Sequence, residues 1–234
     1  MKTVGIVGAM EAEVALLKSR IGIISVRQVA GIEFTLGKLS GKNVVVARCR
    51  VGKVNAAVCA QILIDMYGVD YIISTGVAGA IVNLLEIGDV VISSDLAQHD
   101  FDMSGIGDAR YVNPSLDESF FKADAQLVKL AKGSCDAVLC RNRSYVGRVA
   151  TGDRLVMSAQ DKERIWNDLE GMCVETEGAA IGQVCYLNNI PFVVIRSISD
   201  KANGSDGESV NFELYVDVAA NISAQVVEEM LNGL

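Results

Sequence analysis

Carboxylates are the side chains of this protein best placed to do chemistry, because its imidazoles and thiols are scarce or badly spaced. A single histidine, His99, cannot supply the two or three imidazoles of a typical zinc site, and a Ser-His-Asp arrangement would have to use it. The six cysteines (Cys49, Cys59, Cys135, Cys140, Cys173 and Cys185) include no C-x-x-C pair and read as buried, reduced thiols. Acid–base work therefore falls to Asp and Glu. No metal ion and no cofactor is expected.

Four stretches carry carboxylates or bare backbone where a ligand could use them. In Gly5-Ile6-Val7-Gly8-Ala9-Met10-Glu11-Ala12-Glu13, the second and third glycine positions of a dinucleotide fingerprint counted from Gly8 are Met10 and Glu13, so a pyrophosphate would meet a carboxylate. Glu11 and Glu13 instead lie in the first turn of a helix, where the dipole tends to hold a carboxylate ionised; plain helix-end charge is the alternative. Thr75-Gly76-Val77-Ala78-Gly79-Ala80 follows a buried strand and reads as a glycine-rich loop at a strand's carboxyl end, or as an ordinary turn. Glu175 and Glu177 flank Thr176 at a strand–helix junction and are expected to point to opposite sides, one of them gripping a vicinal diol, unless they merely start a helix. Asp200 closes the apolar run Phe192 to Ile198 next to Ser199 and near Arg196. It suits a general acid, or a simple turn.

The 234 residues that must position these groups are half apolar, with 29 acidic against 21 basic side chains and a net charge of −8. That composition describes a compact globular chain able to bury a full core. It argues against nucleic acid as a partner, since no basic run could follow a phosphate backbone. The amino-terminal residues form neither a signal peptide nor a membrane span, so a cytoplasmic location without membrane association is expected.

Strand-length apolar runs alternate with helical periods along the chain. Strands are expected at Thr3 to Val7, Ile32 to Leu39, Val44 to Cys49, Tyr71 to Ser74, Asp89 to Ser93, Ser144 to Ala150 and Phe192 to Ile198. Helices are expected at Met10 to Ile21, Lys53 to Tyr67, Ala123 to Lys132, Ala159 to Leu169 and Glu177 to Asn188. A last helix repeats Leu214, Val218, Ile222, Val226 and Met230 as a core stripe. The segment from Asp95 to Asp117 has little periodicity, and loops of that length inside a compact domain are usually functional. No linker or repeat interrupts the pattern, which predicts one α/β domain over 1–234, three-layered around a central mixed, mainly parallel sheet.

With these stretches in view, the chain resembles the methylthioadenosine/S-adenosylhomocysteine nucleosidases, which have the nucleoside phosphorylase-like fold. The resemblance runs nearly end to end, through the Gly5 to Glu13 stretch, Val51-Gly52-Lys53-Val54-Asn55-Ala56-Ala57, Ser74-Thr75-Gly76-Val77-Ala78-Gly79, Gln98-His99-Asp100, Thr151-Gly152-Asp153, Val174-Glu175-Thr176-Glu177-Gly178-Ala179 and Arg196-Ser197-Ile198-Ser199-Asp200. It implies hydrolysis of the N-glycosidic bond of adenosine-type thioethers. Glu13 would activate water, Glu177 would bind the ribose hydroxyls, and Asp200, oriented by Ser199, would protonate adenine. It further implies Ala9, Val51, Val77 and Thr176 beside the sugar, Gly79 in the pocket loop, Leu155 and Val156 flanking adenine, and Tyr215 lining the alkylthio end. A homodimer is implied too, with Met103, Ile106 and Pro114 on a loop that enters the neighbouring pocket and His99 in that loop.

Three positions depart from the family pattern. Thr176 stands where a methionine is usual, Leu155 where many members stack a phenylalanine, and Arg50 where a small residue is common. An arginine there could bind phosphate, as in the related phosphorylases, although Glu13 would repel the same anion. A phosphate-dependent purine nucleoside phosphorylase, or a nucleoside-binding protein without catalysis, are the alternative readings.

Overall fold

The computed structural model describes residues 2–141, 143–201 and 208–234, with side chains left aside over 208–214. The chain opens with β1 (Thr3–Gly8), α1 (Glu11–Arg20) and a meander of β2 (Gly22–Val29), β3 (Ile32–Leu39) and β4 (Lys42–Arg48). It continues through α2 (Lys53–Tyr67), β5 (Tyr71–Ala80), β6 (Val90–Gln98), the short β7 (Phe120–Lys122) and α3 (Ala125–Val138). Then follow β8 (Ser144–Thr151), α4 (Ala159–Leu169), β9 (Gly171–Glu175), α5 (Gly178–Asn188), β10 (Phe192–Asp200) and α6 (Glu208–Gly233).

Local signals explain the boundaries. Gly68 ends α2 in the left-handed region at φ 57°, where an L side chain is disfavoured. The Asp124 side chain accepts from the Gln126 and Leu127 amides at the head of α3, and Ser158 caps α4 in the same way.

All strands join one sheet in the order β10-β6-β8-β9-β5-β1-β4-β3-β2, with β7 beside β6. Because β10 also pairs with β5, the strands β5, β10, β6, β8 and β9 close into a ring. The sheet is mixed, as expected, but not mainly parallel. The parallel pairs β1–β4, β1–β5, β5–β10, β6–β8 and β8–β9 are matched by the antiparallel pairs β2–β3, β3–β4, β5–β9, β6–β7 and β6–β10. Helices α2 and α5 cover one face through Cys59, Leu63, Ile181 and Cys185. Helices α1, α3 and α6 cover the other through Leu17, Leu127, Val227 and Leu231, which makes the three layers.

Two expectations change and one strand was not foreseen. The stretch Thr75 to Ala80 is no loop: β5 runs straight through it, held between β10 and β9. The exposed strand β2 lacks the apolar alternation that would have revealed it, having only its antiparallel pairing with β3 to define it. In α6 the spacing of four advances about 40° per step, so Val226 and Met230 are buried while Val218 faces out; Leu214 lies outside the described side chains. Five cysteines are buried, Cys140 is exposed, and none is paired.

Candidate active site

The functional stretches converge where β1, β4, β5, β8, β9 and β10 end, the edge at which open α/β sheets bind ligands. Glu13 turns back from the first turn of α1. Its Oε2 accepts from the amides of Ala9 at 2.6 Å and Met10 at 2.9 Å, and its Oε1 accepts from the Val77 amide at 3.0 Å. This crossing to β5 requires a bare backbone at Gly76, where a Cβ would lie 2.5 Å from Glu13 Oε1 and 2.9 Å from Arg196 Nη1. Ser223 of α6 secures the same stretch of β5 by accepting from the Gly76 amide at 3.0 Å and bonding the Thr75 hydroxyl. Burial pushes the Glu13 pKa up, outweighing the Arg196 charge and the three amides that favour its ionised form.

Glu175 and Glu177 do not point to opposite sides. The strand ends at Glu175 and the chain bends into α5 at Thr176 and Glu177, so both carboxylates reach Arg196, with Nη2 2.7 Å from Glu175 Oε2 and 4.0 Å from Glu177 Oε2. Glu175 also accepts from the Glu177 amide at 2.9 Å, from the Gly178 amide at 2.8 Å and from the Thr151 hydroxyl, so it fastens the start of α5. Glu177 Oε1 accepts from the Gly52 amide at 2.8 Å and from the Thr176 hydroxyl. Burial, reinforced by the negative charge of Glu175, pushes the Glu177 pKa up to about 7. Burial alone would lower the Arg196 pKa, but the surrounding Glu175, Glu13 and Glu177 raise it above its ordinary value.

Asp200 lies opposite Gly79 across a bulge at Ser199, whose hydroxyl donates to Asp200 Oδ2 at 2.9 Å. Ala9 and Val77 are buried beside Glu13, and Val156 packs with Ile81, Ala150, Ile165 and Val174. Val51, Leu155 and Tyr215 are exposed, Leu155 by 76%, so the protomer itself covers neither that leucine nor the loop residues Met103, Ile106 and Pro114. Arg50 turns away from the cluster, donating to the Gly31 carbonyl at 2.8 Å.

His99 is not an outward member of the loop. It sits at the loop's root, 2% exposed, with its ring against Gly152 and its amide bonded to the Thr151 carbonyl. Burial lowers its pKa, disfavouring the charged imidazolium. Sequence reasoning left open which of Glu175 and Glu177 would face a ligand until the resemblance chose Glu177, and it gave Arg196 no site role; the signal was an ionisable residue in each of two apolar strands, which a buried strand tolerates only when it is paired. It also passed over Asp153, which accepts from the Lys53 amide at 2.8 Å and so steadies the Gly52 turn. A separate groove of about 990 Å³ beside α4, lined by Leu84, Asp95, Arg148, Lys162, Trp166 and Met172, contains none of these residues.

The sequence model of the Phosphorylase superfamily matches residues 3–232. A 5'-methylthioadenosine/S-adenosylhomocysteine nucleosidase of Shewanella loihica is 40% identical over 232 residues, 99% of each chain. This chain belongs to that nucleosidase family. Two solved nucleosidase structures agree over its whole length. The Neisseria meningitidis enzyme in complex with methylthio-immucillin-A has a TM-score of 0.94 at 34% identity, with all of both chains covered. The Colwellia psychrerythraea enzyme in complex with adenine has a TM-score of 0.93 at 37% identity, with 96% of that chain covered. The nucleosidase fold expected from the sequence is thus the fold observed, and the chain is an N-glycosyl hydrolase by family.

Proposed function

We propose that this chain hydrolyses the N-glycosidic bond of 5'-methylthioadenosine and S-adenosylhomocysteine, and of the smaller 5'-deoxyadenosine, releasing adenine and the thioribose or deoxyribose. In the cell this would serve methionine salvage and removal of methyl-cycle by-products, in the cytoplasm. The observation that carries the reading is the charge of the site: Glu13, Glu175 and Glu177 gather on the single guanidinium of Arg196. A phosphate nucleophile would face these carboxylates, with Arg196 engaged by Glu175, Arg50 by Gly31 and Lys53 by Asp100 at 2.7 Å. Water faces no such repulsion.

The steps follow from the free lone pairs. Glu13 Oε1 accepts one amide and keeps capacity for a water, and burial raises its pKa, which makes it a stronger base than an exposed carboxylate. Glu177 Oε1 is occupied by Gly52 and Thr176, which leaves Oε2 to accept from the ribose hydroxyls. As the C–N bond stretches, the sugar gains oxocarbenium character and negative charge flows into the purine. The buried carboxylates stabilise the first, and Asp200, oriented by Ser199, protonates N7 to relieve the second. Ala9, Val51 and Val77 would border the sugar, with Gly79 in the pocket wall, Leu155 and Val156 flanking adenine, and Tyr215 lining the alkylthio end.

A homodimer completes this reading. Val51, Val54, Val58, Met103, Ile106 and Leu187 are large apolar residues left exposed on the protomer, a set suited to burial by a second copy with Met103, Ile106 and Pro114 entering its pocket. The deciding experiment is adenine release from 5'-methylthioadenosine with and without phosphate. Release without phosphate, nearly abolished in Asp200→Asn, is expected. Strict phosphate dependence with ribose-1-phosphate as product would overturn hydrolysis, and unchanged turnover in Asp200→Asn would overturn the acid.

A further inference from the structure

We propose that Thr176 is a positioning residue, its hydroxyl fixing the rotation of the Glu177 carboxylate so that Oε2 alone is presented to the sugar. The inference rests on the reading that Glu177 holds the ribose. Thr176 lies between the end of β9 and the start of α5, half-buried, and donates to the same Glu177 Oε1 that accepts from Gly52. On the other side the Glu177 amide is tied to Glu175 Oε2 at 2.9 Å, so the backbone is held from below and the carboxylate from above. Two donors on one oxygen define which oxygen is spent and which is free. With Gly52 alone, the terminal torsion of the side chain, which is broad and roughly two-fold, has one restraint fewer.

The hydroxyl has an electrostatic consequence as well. The ionisable groups facing Glu177 are Glu175 at the end of β9, Arg196 on β10, and Cys49 just past β4, with Glu13 reaching the cluster through Arg196. Burial and Glu175 oppose ionisation of Glu177, whereas Arg196, Thr176 and Gly52 favour it, and the balance falls at about 7. Near neutral pH the empty site is thus a mixture of a carboxylate, which accepts from a diol at every lone pair, and an acid, which does not. Removing one of three favouring groups shifts that mixture toward the acid.

Thr176→Val, which keeps the shape and deletes the hydroxyl, is compared with Thr176→Ser, which keeps the hydroxyl, in the full-length chain with 5'-methylthioadenosine between about pH 6 and about pH 9. The Val variant is expected to raise KM about tenfold near pH 7 while kcat changes by less than about twofold, and to move the midpoint of the acidic limb of the KM profile upward, with the gap narrowing at the alkaline end. The Ser variant restores the wild-type profile. An unchanged KM in Thr176→Val, a rise by one factor at every pH, or a Ser variant that behaves like Val would each overturn the proposal. Should the Val variant not fold, Thr176→Ala against Thr176→Ser is decided by the same readouts. A second measurement is independent of turnover: the infrared carboxylate band that disappears in Glu177→Gln should titrate higher in Thr176→Val than in wild type, and an unmoved band also refutes the role. Failure of wild type to release adenine would strike the proposed function instead.

Discussion

Replacing Glu177 by Gln should make the ligand-free protein more stable in mild alkali, at the expense of binding. Folding raises the Glu177 pKa from the usual 4.5 to about 7, chiefly through burial and then through Glu175. With each pH unit worth about 1.4 kcal/mol, holding this group ionised costs about 3 kcal/mol. A carboxyl whose folded pKa is raised contributes stability below its unfolded pKa and loses it as pH rises through the folded one. The penalty is therefore absent near pH 4.5 and complete above about pH 7. Glutamine is nearly isosteric, and its Oε1 can still accept from Gly52 and Thr176. Urea unfolding at fixed protomer concentration should show the variant about 3 kcal/mol more stable near pH 8, with a melting temperature about 6–12 °C higher, and the gap closing toward about pH 5. His99, whose pKa burial lowers, destabilises both proteins alike as pH falls, so the difference between them isolates Glu177. A nucleoside analogue should reverse the order by stabilising wild type alone. A variant less stable than wild type near pH 8, or a gap independent of pH, would refute the electrostatic account.

Further expectations follow from neighbouring contacts. Glu175→Gln leaves the fully buried Arg196 without its closest counter-charge and should cost about 3–5 kcal/mol in urea unfolding, while the Glu177 titration moves down because its repelling neighbour is gone. In Gly76→Ala, a Cβ 2.5 Å from Glu13 Oε1 must displace that carboxylate; adenine release should fall by about a hundredfold with a stability loss of about 1–3 kcal/mol. Val54→Asp places a charge on an exposed apolar face of α2 and should yield monomers in sedimentation with turnover that falls on dilution. A dimeric variant would deny that face its role.

The sequence by itself determined the elements that near neighbours control. The helices Lys53 to Tyr67 and Ala159 to Leu169 and the strand Ile32 to Leu39 stand at the expected boundaries, because period, caps and Gly68 act within a few residues. It also located the four stretches that meet at the site, since carboxylates and glycines at strand ends are conspicuous against an apolar chain. Only the tertiary structure decided what those groups touch. Glu13 is held by Val77, 64 residues away, Glu177 by Gly52, 125 residues away, and Glu175 by Arg196, 21 residues away. It also carried β5 through the glycines of Thr75 to Ala80 and drew His99 inward against Gly152. The reason is that burial and pairing belong to the closed sheet as a whole. A carboxylate's partners, and hence its charge, depend on which strand ends the topology brings together, and no local period encodes that.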